Sequence, residues 1–468
     1  MTKYSLSITC RKSRSSGSNA LSPSTHGLTL LVHVASCLIL CLLVFVPAVR
    51  ADTVPADTAR TQEYSFDTSG LDKGPFDFSA SVELWPTLIF FNKDSDLYLL
   101  RYGRENPTYS DVYRLRGEAG AQYQYKSLLA SASGSYNAFY QRLDDSTSSD
   151  ARFYECYLKY APDVSFSLLA GKKTFRWGKG YAYNAVSFAG RQRDLNDIDA
   201  ALEGYWNLSA EYIRGFSGKL SAFAFTGAVL PVYGSVNEGF MSDKTIAGVT
   251  QLYFLLLDTD IDGYFYGDSR NDYRVGADFA KNILSSWEIH GEWAHVSDVR
   301  STFFANDSTL ASEARNASNF VLGTRYLAPS NTTFILEYLH QGAGLTSEQM
   351  SAYYQTLDSP RASEDPAAPR EILQNSTKYY SGQFIMTDYV YVRASHPDPF
   401  MLVYFTPAAY TIVNLVDGSL MAGFEVTYSR LSHLLLTARC VAFAGSHESE
   451  YGGKQVQQRI ELRGKWSF

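Results

Sequence analysis

Apolar and polar side chains alternate with a period of two along most of this chain, in runs of roughly ten residues. The clearest case is a hairpin between Tyr113 and Tyr140. On its first strand Tyr113, Leu115, Gly117, Ala119, Ala121, Tyr123 and Tyr125 alternate with Arg114, Arg116, Glu118, Gly120, Gln122 and Gln124. A turn at Lys126-Ser127 leads into Leu128, Ala130, Ala132, Gly134, Tyr136, Ala138 and Tyr140, interleaved mostly with serine and other polar residues. The rhythm recurs at Tyr154, Cys156, Leu158 and Tyr160 against Glu155, Tyr157 and Lys159. It returns at Trp287, Ile289, Gly291 and Trp293 against Glu288, His290 and Glu292, and again around Trp206 and Phe424. Each unit has the length that a tilted membrane strand needs. No helix-length apolar segment follows Val46. A membrane would therefore have to be crossed by strands, whose backbone groups find partners in lipid only within a closed barrel. A soluble secreted β-sandwich is the competing architecture, and so many repeats argue against it.

The final strand sharpens this. Val456, Gln458, Ile460, Leu462, Gly464, Trp466 and Phe468 are apolar or small apart from Gln458, and Gln457, Arg459, Glu461, Arg463, Lys465 and Ser467 lie between them. An amphipathic strand ending on an aromatic residue, with another aromatic two positions earlier, resembles the C-terminal strand of Gram-negative outer-membrane β-barrels. The resemblance implies that Ile460, Leu462, Trp466 and Phe468 form the signal read by the barrel-assembly machinery. Tyr (34) and Phe (28) are abundant, which suits the aromatic girdles at membrane interfaces.

Connection lengths give an independent signal. Short turns are expected near Lys126-Ser127, Pro162-Asp163, Phe216-Ser217, Leu284-Ser285, Pro329-Ser330, Pro397-Asp398 and Leu431-Ser432. Longer polar stretches run from Asp144 to Asp150, Gly178 to Ala200, Asp298 to Ala317, Gly344 to Ser376 and Gly445 to Lys454. Short turns on one side and long loops on the other are what an outer-membrane barrel shows. The expectation is an all-β, transmembrane, antiparallel up-and-down barrel of about 16–18 strands, an even number with both termini periplasmic. Alternation fails near Leu255 to Arg270 unless Gly263 to Gly267 is a short strand of its own, and Phe76 to Arg104 is open by one strand.

Residues 1–51 read as a signal peptide: Lys3, Arg11, Lys12 and Arg14 precede an apolar run from Leu28 to Val46, and cleavage is expected after Ala51. An uncleaved anchor is the alternative. A short periplasmic lead, 52–73, then precedes a barrel over 74–468. The leader holds five basic residues and no acid, so its removal takes the formal charge from −7 to −12. An acidic chain argues against nucleic acid as a partner. Only Cys156 and Cys440 lie outside the leader, which leaves no disulfide framework and no metal-type cysteine cluster.

No catalytic signature of weight occurs, and neither a cofactor nor a metal is expected. The most suggestive trio is His290 with Glu288 and Glu292 on one strand face, which could serve as a general base or simply belong to a wet barrel wall. The pore-lining candidates are Arg114, Arg116, Glu118, Arg176, Arg191, Arg193, Glu288, His290 and Glu292, because rings of charge set ion preference in pores. Glu155, Lys159, Glu203, Glu211, Arg274, Asp278, Arg393, Arg459, Arg463 and Lys465 are further lumen-facing positions. The segment from Gly171 to Asn184, with Trp177-Gly178-Lys179-Gly180, loosely resembles the strand-to-loop segment of porin-like barrels. Its loop either folds inward, setting Arg191 and Arg193 against Asp197 and Asp199, or lies on the surface. The expected function is a porin-like outer-membrane channel for passive diffusion of small hydrophilic solutes or ions. A plugged or partner-filled barrel scaffold is the alternative, and an outer-membrane enzyme the more remote one. Expected partners are outer-membrane lipid, the assembly machinery and small solutes; a homo-oligomer stays open.

Overall fold

The computed structural model describes residues 74–102, 105–191, 202–241, 243–358 and 368–468. The expected leader and lead, together with Arg193, Asp194, Asp197 and Asp199, lie outside the described residues.

Among the described residues, eighteen strands form one antiparallel sheet. They are β1 (Phe76–Phe91), β2 (Tyr109–Tyr125), β3 (Leu128–Gln141), β4 (Ser146–Tyr160), β5 (Phe166–Lys173) and β6 (Tyr205–Gly215). Next come β7 (Leu220–Val232), β8 (Thr245–Leu256), β9 (Thr259–Asp268), β10 (Tyr273–Leu284), β11 (Trp287–Phe304) and β12 (Leu310–Leu327). The last are β13 (Thr333–Gln341), β14 (Asp388–Ser395), β15 (Phe405–Asn414), β16 (Leu420–Tyr428), β17 (Leu434–Ala444) and β18 (Val456–Ser467). Every strand pairs with its chain neighbours. β1 also pairs with β18, Val82 opposite Trp466 and Leu88 opposite Ile460, so the sheet closes and no edge remains. Closure rules out the sandwich.

The alternation sorts side chains between the two faces. Leu84, Leu115, Leu208, Leu322, Leu462 and Trp466 point outward and are 51–61% exposed, an apolar belt that lipid covers and water would not tolerate. Their neighbours Glu83, Arg116, Asn207, Val321 and Glu461 point into the lumen and are buried. The connections at the end where β1 starts and β18 finishes span two to five residues, except the nine-residue β14–β15 connection, which replaces the short turn expected at Pro397-Asp398; the longest, 174–204 and 342–387, lie at the other end.

Several details differ from the sequence reading, each for a physical reason. Asp144 to Asp150 is not a long loop: β4 begins at Ser146, and its Ser/Thr-rich start pairs with β3. Likewise β11 and β12 continue through the expected loop at Asp298 to Ala317 as a projecting hairpin. There Phe304 leaves the outward pattern to stack against Tyr353 and Tyr380. Tyr154 does not join the outer face with Cys156 and Leu158. The register slips between Ser133 and Gly134, leaving Tyr154 in a bulge, and its hydroxyl donates to Glu118 at 3.4 Å. The doubtful region after Leu255 is a full strand, β9, entered through Leu257 and Asp258, both left-handed (φ 52° and 56°). The described part of Phe76 to Arg104 holds one strand and a short helix, α1 (Asp96–Tyr102).

The long 342–387 connection carries two further helices, α2 (Ser347–Leu357) and α3 (Ala368–Tyr379). Thr346 and Gln349 close a capping box at the start of α2. Phe175, Trp177, Val186 and Phe188 from the β5–β6 loop, Tyr353 and Leu357 from α2, and Tyr451 from the β17–β18 loop share one buried cluster. Leu230, Val249, Tyr266, Leu339, Ile412 and Val441 of the inner wall belong to it too. The lumen wall therefore contributes apolar side chains to the packing of the loops against it.

Candidate functional site

The β5–β6 loop turns into the lumen and docks on the inner wall formed by β9 to β13. Two wall carboxylates receive its backbone. Lys179 and Gly180 donate their N–H groups to Glu292 Oε1 at 2.5 and 2.6 Å, and Ala185 and Val186 donate to Oε2 at 2.6 and 3.3 Å. Asn184 Nδ2 adds a bond to Glu292 at 3.1 Å. Tyr181 and Ala182 donate to Glu337 at 2.6 and 2.8 Å. These are charge-assisted bonds inside a shielded environment, the strong kind. The loop also sends Lys179 to the wall: its Nζ lies 2.9 Å from Asp262 and 3.9 Å from Asp278, which face each other across β9 and β10.

The glycines make this approach sterically feasible. Gly178 has φ +97°, and a Cβ there would lie 2.6 Å from Asn184 Nδ2 and 2.7 Å from Glu292 Oε1. Only a residue without a side chain fits both the backbone and the space.

The Glu288, His290 and Glu292 trio divides under this loop. His290 is fully buried, with Nε2 2.9 Å from Glu337 and Nδ1 3.5 Å from Glu288. Its ring meets Tyr181 edge-on at 5.4 Å. Glu288 also pairs with Arg325 at 3.2 Å, whereas Glu292 is occupied by loop amides. The cluster holds the loop directly through Glu292 and, through His290, by way of Glu337. Among the described residues no group of three or more His, Cys, Asp or Glu side chains is arranged to hold a metal ion.

The sector from β17 round to β3 carries the opposite sign. Arg114, Arg116, Arg439, Arg459, Arg463 and Lys465 are set among Glu83, Glu118 and Glu461. Arg116 lies 3.8 Å from Glu83 and 3.5 Å from Glu118, and its Nε donates to Asn137 at 2.9 Å. Lys465 reaches Glu118 at 2.6 Å, Arg463 forks onto Glu83, and Arg439 and Arg459 flank Glu461 at 2.8 and 2.5 Å. Arg114 also donates to Asn137, and it lies over the rings of Trp85 and Phe139 at 4.9 and 5.2 Å. Of the remaining candidates, Arg176 is exposed on the loop. Arg191 bonds Glu203 at 3.1 Å and stacks on Tyr205 at 5.0 Å. Arg191 opens onto a cavity of about 380 Å³ lined also by Arg152, Arg274, Glu203 and Phe240.

Glu337, Asp262, Lys179, Glu83, Glu461 and Arg439 carry as much of this arrangement as the candidates read from sequence. One signal existed for Glu337. It stands at a lumen position flanked on that face by the apolar Ile335 and Leu339, and a lone acid between them needs donors from elsewhere.

A closed eighteen-stranded sheet, apolar outside and ionic within, defines an up-and-down transmembrane β-barrel. No protein-family model and no curated protein sequence matches the chain. Solved structures are similar at low identity. OccAB3 of Acinetobacter baumannii has 9% identity and a TM-score of 0.46, over 84% of this chain and 99% of that one. The outer membrane protein OpdK of Pseudomonas aeruginosa has 8% identity and a TM-score of 0.47, over 84% and 99%. OmpF of Salmonella typhi, in complex with daunomycin, has 8% identity and a TM-score of 0.43, over 84% and 97%.

Proposed function

We propose that the protein is a porin-like channel of the Gram-negative outer membrane, passing small hydrophilic solutes or ions by diffusion and catalysing no reaction. The observation that carries this is the ionic lumen. One wall is acidic and covered by an inward loop, while the other keeps six cations among three carboxylates. A barrel of this strand number encloses an aqueous lumen unless it is filled. The short-turn end with both termini is assigned to the periplasm. Ile460, Leu462, Trp466 and Phe468 serve the assembly machinery: Trp466 and Phe468 are 53% and 69% exposed and stack with centroids 6.3 Å apart.

A second reading, a barrel filled by its own loops and serving as a scaffold, is favoured by the apolar loop cluster at the far end. Planar-bilayer recording on the protein extracted in detergent decides between them. Stepwise currents that scale with salt support the channel. A barrel that inserts, migrates heat-modifiably on gels and conducts nothing supports the scaffold.

A further inference from the structure

The β14–β15 connection, 396–404, reads His-Pro-Asp-Pro-Phe-Met-Leu-Val-Tyr, an unusual composition for a turn at the end of the barrel where β1 starts and β18 finishes. Phe400 and Met401 are 94% and 93% exposed, and Leu402, Val403 and Tyr404 are 50–57% exposed. The turn is well tied down. Asp398 accepts from Tyr404 N–H at 2.5 Å, His396 Nδ1 lies 2.8 Å from the Thr332 hydroxyl, and Ser429 N–H donates to Tyr404 O at 3.1 Å. Phe400 and Met401 both hold left-handed backbone, φ 56° and 63°, which glycine or asparagine adopts with less strain. A turn that only reversed the chain would use those residues. Large apolar side chains there point to a use for the side chains themselves.

The wall beside this turn is short. β14 has 8 residues, and β13 and β16 have 9 each. At the usual rise and tilt, eight residues rise only about 20 Å along the barrel axis, against an apolar band of about 25 Å. The outward residues of the same strands, Phe334, Leu336 and Val392, are 38–49% exposed, so the apolar turn continues the lipid-facing belt. Arg430, on the neighbouring turn, is exposed where anionic headgroups would lie.

We infer that the 396–404 turn is a lipid anchor: Phe400, Met401, Leu402, Val403 and Tyr404 enter the acyl-chain boundary of the adjacent leaflet and complete the belt where the strands fall short. This requires the membrane-spanning barrel but not conductance, so the bilayer recordings leave it open either way.

The test places a bimane fluorophore at Met401→Cys, and for comparison at Ser330→Cys on the neighbouring polar turn, with every native cysteine replaced by alanine. Each protein is reconstituted in vesicles of phosphatidylethanolamine and phosphatidylglycerol bearing bromines near the top of the acyl chains. Bromine quenching at 401 about three-fold or more above that at 330, with a blue-shifted emission, is the expected result. Equal bromine quenching at the two sites, with iodide quenching both, would place the turn in water and overturn the inference. A 401 probe shielded from both quenchers would overturn it too, showing a second copy or another protein over the turn.

Discussion

Glu292 accepts from four backbone amides and one asparagine while almost entirely buried, so its two oxygens gather every donor the loop offers there. Glu292→Gln keeps the shape but turns an NH2 group toward the donors. Hydrogen bonds to charge contribute about 1.5–3 kcal/mol each, and stranded donors add a penalty. Loop docking should weaken by roughly 2–4 kcal/mol while the barrel stays closed. Trypsin cutting after Lys179 should then become several-fold faster in the variant, with gel mobility of the folded barrel unchanged; an unaltered cleavage rate would show that Glu292 does not hold the loop. Gly178→Ala should act in the same direction by a different route, since its Cβ would enter the space of Asn184 and Glu292. Trp177, Gly178, Gly180 and Asn184 are conspicuous in the sequence because glycines and an aromatic at a strand exit mark a turn. The partners that decide where the loop goes are not legible, because Glu292 and Glu337 lie more than a hundred positions away.

At the scale of elements, the far-end loops are joined through another buried carboxylate. Glu450, in the β17–β18 loop, accepts from the Tyr389 hydroxyl at 2.5 Å, Asn414 Nδ2 at 2.7 Å and Ile385 N–H at 3.3 Å. Burial pushes its carboxyl up to about 7, opposed by Lys454 and the Tyr389 and Ile385 hydrogen bonds and assisted by Asp417. A carboxyl whose folded value is raised binds its proton more tightly in the folded state. Its contribution is therefore fully present below the ordinary value and is lost as pH rises through about 7, a change of roughly 3 kcal/mol at most. The melting temperature of wild type relative to Glu450→Gln should fall between pH 5 and pH 8 in the same detergent; a difference that does not change with pH would remove Glu450 from the account. Strands were legible where one face meets lipid and the other water, because only there does alternation survive. It fails at Phe304 and along the start of β4, where the hairpins rise past the band and both faces meet loops or water. The sequence does not announce α2, because its buried residues, such as Tyr353 and Tyr354, suit a strand as well as a helix. The Thr346 and Gln349 capping box was the clue available.

For the whole molecule, the sequence shows both signs of charge in the lumen but not their separation, which depends on closure. β1 meets β18, so Glu83 and Arg463, 380 positions apart, become neighbours. Closure also places the acids of β9 to β13 on a different wall from the cations of β17 to β3. Composition, with its formal charge of −7, points weakly toward cations as the favoured ion, whereas the separation of charge in the lumen yields the opposite prediction. The acids Glu292 and Glu337 are taken up by loop amides, and Asp262 and Asp278 by Lys179. The wall of β17 to β3 carries more cations than carboxylates, and of its charges Arg459, Arg463 and Lys465 stay partly exposed while Glu83 and Glu461 are buried, so permeating anions should be favoured modestly. Screening confines such an effect to low salt, since the Debye length is about 10 Å at 0.1 M and about 3 Å at 1 M. Under a potassium chloride gradient near 0.1 M the reversal potential should therefore lie on the chloride side and shrink as both solutions are raised toward 1 M. Arg459→Gln combined with Lys465→Gln should move it toward potassium. A wild-type reversal potential on the potassium side would mean that the acidic wall, and not the basic one, meets the permeating ions, and that the loop lies elsewhere when the channel conducts.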